Sequence, residues 1–353
     1  PITELNGLVV VTRNDIRSEL LFGRFLGEPV DIELRKSGEG QPDYSVIATA
    51  TGQASADAIV NQLGVPLGEF LEGSTPFVAE LMFPARQEGQ SAPFRIAVDS
   101  DLQGLALDLP PPFYKAGADA VPLSFVVDLA AGNRIESSGS YREQLLWALT
   151  FENTGDAWDF DRGVLSVGGG LPGVADTRGL HIQGQINELR LDDWIGLMRR
   201  GTGNAGLGDR IRSIDLTIDR LDAIGQHLIA QRVVVNRSAQ EWVVELNGNH
   251  AVGTLSIPYD FSGDRPLSLD MQLLTLPGKE TPTEGGTDTV DPRRLPAIAL
   301  TVKEFAFGER HLGNFSALFE KTPRGIEAAN VLARDESFTI EGTAGWIVDD
   351  QDA

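Results

Sequence analysis

The chain has 353 residues, 51 acidic and 29 basic side chains, a formal net charge of -22 and no cysteine. A negative field of that size repels nucleic acid, so DNA- or RNA-binding is set aside, and its simplest meaning is solubility. Without cysteine there are no disulfides, thiolate nucleophiles or cysteine-ligated metals, a composition that suits an oxidising compartment such as a periplasm.

Pro1-Ile2-Thr3 is no translation start, and no signal peptide or apolar run of about 18 residues follows. The expectation is an interior segment of something longer. In chain order, short alternating stretches at 8–11, 30–34, 46–51, 77–83, 94–98 and 105–109 predict strands, each bounded by Gly, Pro, Asp or Asn. The spacing predicts a helix over 55–64, with Ser55 as N-cap, Ile59, Val60 and Leu63 on one face and Gly64 as the stop. Strands follow at 123–129 and 145–151. The loop "NTGDAWDFDRG" gathers Asn153, Asp156, Asp159 and Asp161, but its spacing lacks the alternate carboxylates, sixth-position Gly and distal Glu of a calcium loop. Gly168-Gly169-Gly170 has no Lys-Ser/Thr ending and no helix after it, so it reads as a flexible turn and not a phosphate cradle.

The stretch 180–191 begins as a strand with Leu180, Ile182 and Ile186 alternating, then slips phase so that Leu189 and Leu191 continue it. A β-bulge is the expected cause. A short helix is predicted near 192–200, with Trp194, Leu197 and Met198 at helical spacing and Gly201 as its stop. Adjacent Asp192 and Asp193 point in different directions on such a helix, so they read as its cap and not as a catalytic pair. Further strands are expected at 214–221, 233–235, 242–246, 254–257, 267–274, 298–307, 315–319 and 338–340.

Two of these stretches are copies. "IDLTIDRLDAIGQHL" from Ile214 and "IALTVKEFAFGERHL" from Ile298 align without a gap at an offset of 84, matching Leu216 to Leu300, Ile218 to Val302, Leu221 to Phe305 and His227 to His311. A repeat at fixed spacing predicts units that bury an apolar face by continuing their neighbours. Between the copies, 277–296 is rich in Pro, Gly, Thr and charge and reads as a flexible loop or linker. The expected organisation is β-repeats over 1–167 and 168–276, that loop over 277–296, and a further β-repeat over 297–353.

His181, His227, His250 and His311 are scattered and no pair has metal-ligand spacing. No serine has a nucleophile's context. The chain is therefore expected to hold no catalytic residue, no metal and no cofactor. What remains is the amount of alternating strand, with too few helices to cover it. The predicted fold is mainly β: a long, curved and twisted antiparallel sheet of repeating units with a few short helices, forming an open apolar groove. Candidate lining residues are Leu180, Ile182, Ile186, Leu189 and Leu191, then Ile214, Leu216, Ile218, Val233 and Val235. Val244, Leu246, Leu255, Ile257, Leu269, Met271 and Leu273 continue the set, and Ile298, Leu300 and Val302 complete it.

The stretches "DLQGLALDLPPPFYKAGADAVPL" from Asp101, "GLHIQGQINELRLDDWIGLM" from Gly179, "EWVVELNGNHAVGTLSIP" from Glu241 and "ESFTIEGTAGW" from Glu336 resemble the YhdP family of AsmA-like proteins, relatives of TamB. The opening 33 or so residues are similar to the family's recurrent hairpin unit. The resemblance covers most of the chain, and the stretch from Asp101 to Leu123 is its most specific part. It implies a large envelope protein of Gram-negative bacteria, anchored in the inner membrane by an N-terminal helix. The periplasmic part would conduct phospholipids toward the outer membrane and meet components of both membranes through other parts of the parent chain. The other class of function carried forward is a structural or adhesive β-repeat scaffold with a dry, self-filled core.

Overall fold

The computed structural model describes residues 2–13, 15–63, 70–85, 92–130, 133–155, 158–191, 193–194, 210–223, 226–259, 265–276 and 292–348. It is mainly β, with a mixed sheet of 23 strands and, among the described residues, one α-helix. The chain divides into two compact units, Pro1–His181 and Ile182–Ala353.

The first unit contains β1 (Ile2–Asn6), β2 (Val9–Val11), β3 (Ile16–Ser18), β4 (Leu21–Phe25), β5 (Glu28–Lys36), β6 (Tyr44–Ser55), α1 (Ala56–Leu63), β7 (Leu71–Pro84) and β8 (Phe94–Ser100). After these come β9 (Leu105–Leu107), β10 (Leu123–Ala130), β11 (Arg134–Tyr141), β12 (Leu145–Asn153) and β13 (Trp158–Val167). From β4 to β8, and on through β10 to β13, each strand pairs antiparallel with the next. Facing pairs in a ladder share one side of the sheet. One such row runs Leu21, Ile32, Ala50, Ala79, Val98, Phe125, Gly139, Trp147, Leu165. Gly139 is required there, because a Cβ would lie 2.4 Å from the Trp147 ring and 2.5 Å from Phe125.

Helix α1 starts where the sequence predicts, one residue after Ser55, whose Oγ accepts a hydrogen bond from the Ala58 amide at 3.4 Å. Ala58 and Ile59 lie against the cluster built from Leu21, Val30, Ile32 and Phe77. The family-like stretch from Asp101 forms β9, which pairs with β7, and a loop returning to it. Lys115 is buried in that loop, its Nζ donating to the carbonyls of Leu105 at 2.7 Å and Ala116 at 3.1 Å. Burial holds its amino group below the usual lysine range, with Asp119 pulling the other way. Leu102, Leu105 and Val121 pack with Tyr141 beneath it.

Strand β14 (Gly179–Arg190) follows. The second unit holds β15 (Ile211–Ala223), β16 (Gln226–Arg237), β17 (Glu241–Gly248), β18 (Ala251–Pro258), β19 (Leu267–Leu276), β20 (Ile298–Phe307), β21 (Arg310–Thr322), β22 (Gly325–Arg334) and β23 (Thr339–Ile347). Every pairing along this series is antiparallel except β19 with β20, which is parallel. This corrects the expectation of a wholly antiparallel sheet. Its cause is the repeat: β20 is the copy of β15, and five alternating strands from β15 leave β19 running in the same direction as β15. The copy restarts in that direction, and the long connection from Leu276 to Ile298 makes the crossover that a parallel pair needs.

The predicted loop over 277–296 lies outside the described residues up to 291, and a 3-10 turn spans Pro292–Arg294. The predicted helix near 192–200 falls outside the described residues except at Asp193 and Trp194. The phase slip in β14 is visible in its burial: Leu180 and Ile186 are buried, Asn187 and Glu188 are both exposed, and Leu189 is half-buried.

Candidate functional site

The second unit sorts its side chains by polarity over nine strands. One row of facing residues runs Ile214, Val235, Val244, Leu255, Leu269, Leu300, Ala317, Val331, Gly342. Two residues along each strand lies a second row, Leu216, Val233, Leu246, Gly253, Met271, Val302, Phe315, Ala333, Ile340. The intervening row, on the opposite face, reads Asp215, Val234, Glu245, Thr254, Asp270, Thr301, Ser316, Leu332, Glu341. Period-2 alternation in each strand, held in register by the ladders, makes one face apolar and the other largely polar.

Most of the lining residues named from sequence fall in these two rows. Ile218 lies one step further along, facing Gln231, which in turn faces Gly248. Ile257 faces Trp242, and Ile298 faces both Leu267 and Phe319. Leu273 departs from the set. A bulge between Met271 and Leu273 pairs it with Val252 and Glu304, and Leu274 takes its place, pairing with Ala251 and Phe305. Among the β14 candidates, Leu180 and Ile186 are buried and Ile182 and Leu189 half-buried, while Leu191 lies just past the strand.

The sequence reading passes over Phe315, Ala317, Phe319, Val331 and Ala333, and over the whole apolar row of the first unit. The repeat itself carries the missing signal. Shifting the β15–β16 pairs Leu216–Val233 and Ile214–Val235 by 84 gives Leu300–Ala317 and Ile298–Phe319, both of which are facing pairs. The same shift takes Ile218–Gln231 to Val302–Phe315. Gln231 therefore stands where the copy has a phenylalanine. It is 0% exposed, its Nε2 donates to the Ile229 carbonyl at 3.2 Å, and its Oε1 has no partner among the described residues. A Cβ at Gly248 would lie 2.3 Å from this amide, so the glycine is the space the glutamine occupies.

Charged groups sit on the polar face and at the strand ends. Arg232 binds Asp215 through two hydrogen bonds of 3.0 and 2.9 Å, which hold the carboxyl below the usual aspartate range. At the tip of the β15–β16 hairpin, burial raises the Asp222 carboxyl, and bonds from His227 at 2.5 Å and Arg220 at 3.0 Å outweigh it and lower it. His227 is thus a hydrogen-bond partner of Asp222 at a turn, and its repeat counterpart His311 is exposed. In the first unit, His181 shares a 3.0 Å hydrogen bond with Thr177. Asp193 pairs with Arg190 at 3.4 Å, and Asp192 lies outside the described residues. No described helix is long and apolar enough to cross a membrane.

At the other end of the apolar face, Arg237 faces Trp242. Its guanidinium carbon lies 5.4 Å from the Trp242 ring centroid and 5.2 Å from that of Tyr259, and the two rings meet edge-to-face at 5.8 Å. The Tyr259 hydroxyl donates to the Ser238 carbonyl at 2.6 Å and fixes its ring.

The arrangement offers a long apolar strip of weak, similar contacts, with polar groups at its margins. The family described as YhdP protein matches residues 1–353 of the chain. No curated protein and no solved structure matches it.

Proposed function

The chain belongs to the YhdP family, envelope proteins of the AsmA-like group, and on that premise we propose that it is a periplasmic length of a lipid conduit. Phospholipids would move between inner and outer membrane along its apolar face, with no catalysis and no cofactor. The observation that carries the reading is the nine-strand register of the second unit, which puts two continuous apolar rows on one face and acidic and hydroxyl side chains on the other. Exposing an acyl chain of about 15 methylenes to water costs roughly 12 kcal/mol, at about 0.8 per methylene. A strip of aliphatic side chains removes most of that barrier without a pocket deep enough to trap the lipid.

The test places photocrosslinking residues at Leu255 and, one residue away on the opposite face, at Thr254, in cells or in protein loaded with radiolabelled phospholipid. Lipid adducts at 255 and none at 254 are expected. Adducts at neither, together with purified protein free of lipid, would sink the proposal.

One observation favours a second reading, the dry envelope scaffold. Ile218, Met271 and Val302 are at most 1% exposed, as in a core filled by its own side chains. A self-filled core would exclude apolar dyes, whereas a conduit takes them up and releases them when phospholipid is added.

A further inference from the structure

The apolar face of the first unit is closed at one end of its strands and exposed at the other. At the closed end the facing residues are Val30, Gly52 and Phe77 and, across β8, Leu123, Tyr141 and Leu145. Val30, Phe77 and Tyr141 are at most 8% exposed. At the other end the same face carries Val46, Phe83, Phe94, Leu129, Ile135 and Phe151. There Phe83 is 41% and Leu129 37% exposed. Helix α1 makes the difference. Strand β6 runs into it, Ala58 packs with Val30 and Phe77, and Ala56 packs with Leu105, Val121 and Tyr141. Ile59 lies against both clusters, so a single wall closes this end of the face.

We propose that this wall is an acyl-chain stop: a phospholipid seats in the first unit with its chains along the strands, their methyl ends against α1 and its headgroup beyond the exposed end. This rests on the lipid-conduit reading and adds to it a fixed orientation and a limit on chain length.

Three observations carry it. The first is depth. From Gly52 to Val46, and from Leu145 to Phe151, a strand advances about 20 Å, and the hydrocarbon of one bilayer leaflet is about 15 Å thick. A full-length acyl chain entering at Phe83 thus ends at the wall. The second is the fit of the helix. A Cβ at Gly52 would lie 2.7 Å from Val30 and 3.4 Å from the Phe77 ring, and Ala54, Ala56 and Ala58 are at most 7% exposed. Small residues bring α1 directly onto the sheet, and no chain passes beneath it. The third is charge. Along β5 to β8 and β10 to β12, from the row of Val30 to that of Val46, this face presents a single charged side chain, Lys36. It faces Val46 at the exposed end, in a chain of net charge -22. A cation there complements the phosphate of a headgroup, and the closed end suits only hydrocarbon.

The experiment uses two synthetic phosphatidylglycerols with chains of about 16 carbons, one with a diazirine at the chain end and one with it beside the ester. Each is crosslinked to the whole chain and the adducts are mapped by mass spectrometry. Chain-end adducts should be about tenfold more frequent at Ala58, Ile59, Leu105 and Val121 than at Phe83, Phe94 and Leu129, and ester-end adducts should show the reverse. A chain of about 8 carbons is too short to reach the wall, and its end adducts should move to Ile96, Val98 and Val127. Lys36→Glu, at an exposed position, should lower adducts of phosphatidylglycerol in this unit about two- to threefold and leave those of the matching diacylglycerol unchanged. An even or inverted distribution, or short-chain adducts at α1, overturns the stop. Equal loss for both lipids in Lys36→Glu, or no loss, overturns the orientation. Adducts confined to the second unit overturn the whole inference and leave the conduit standing, whereas adducts in neither unit overturn the conduit itself.

Discussion

A carboxylate on the apolar face should break lipid binding, and the same carboxylate one residue away should not. Leu300 is half-buried and faces Leu269 and Ala317, whereas Thr301 on the same strand is exposed and faces Asp270 and Ser316. Each strand occupies about 4.8 Å across the sheet. Roughly four methylenes of an extended chain span that width and are worth about 3 kcal/mol of transfer energy. An ionised carboxylate pressed against those methylenes costs several kcal/mol, so the chain withdraws from that strand and forfeits the contact. Leu300→Asp should therefore weaken binding of a chain that crosses β20 about 100-fold, while Thr301→Asp changes it less than twofold. The assay is equilibrium binding of a long-chain fluorescent phospholipid, paired with a melting curve for each variant. Leu255→Asp and Thr254→Asp repeat the contrast on β18, where the faces sort the same way. Equal effects within each pair, or no effect at Leu300 and Leu255 in folded protein, would refute the argument from register.

Other sites give sharp expectations. Gly139→Ala should lower stability by about 2 kcal/mol, because the new methyl collides with Trp147, Phe125 and the Ser124 carbonyl; Gly38→Ala, with nothing within 4 Å, should be neutral in the same denaturant titration. Gln231→Leu removes a buried acceptor that has no partner among the described residues, at the expense of one bond to Ile229, so the melting temperature should stay level or rise; a loss of several degrees would show that the amide is needed. Asp161 is held below the usual aspartate range, first by the hydrogen bond from Arg162 and then by the charges of Arg162 and Arg178, against the opposing effect of burial. A carboxyl with a depressed folded pKa contributes stability that is complete above the unfolded value of about 3.9 and is lost as pH falls through the folded one. Asp161→Asn should therefore flatten the acid limb of the stability curve below about pH 4, and an unchanged limb would contradict the assignment.

The mainly β fold and helix α1 with its Ser55 cap were legible in sequence because they depend on local period and local caps. The two apolar rows were half legible. Alternation showed which residues of a strand share a face, and only the ladder shows which residues of different strands do. Leu273 illustrates the limit: it continues the alternation of Leu267, Leu269 and Met271, yet the bulge after Met271 shifts its pairing and gives Leu274 the inward place. The parallel β19–β20 pair was implicit in the 84-residue repeat, because a unit of five alternating strands, β15 to β19, ends in the direction in which it began, but strand count is the least certain part of a sequence reading. Gln231 and Gly248 carried no local signal at all. Each looks ordinary for a strand end or a turn, and their meaning comes from facing each other.

Sliding and escape are different barriers, and on the proposed function their ratio matters more than affinity. Escape to water exposes the whole chain, roughly 12 kcal/mol for 15 methylenes. Sliding from one strand to the next changes only the difference between neighbouring contacts. Across the row from Ile214 to Val331 those contacts are Ile, Val, Val, Leu, Leu, Leu, Ala and Val, whose neighbours differ by up to about three methylene equivalents at Ala317 and elsewhere mostly by one or none, or about 0.8 kcal/mol at most. The track is therefore smooth on the scale of the barrier that confines the ligand to it. A specific pocket would reverse that ratio, because the contacts that give it affinity become the barrier to leaving.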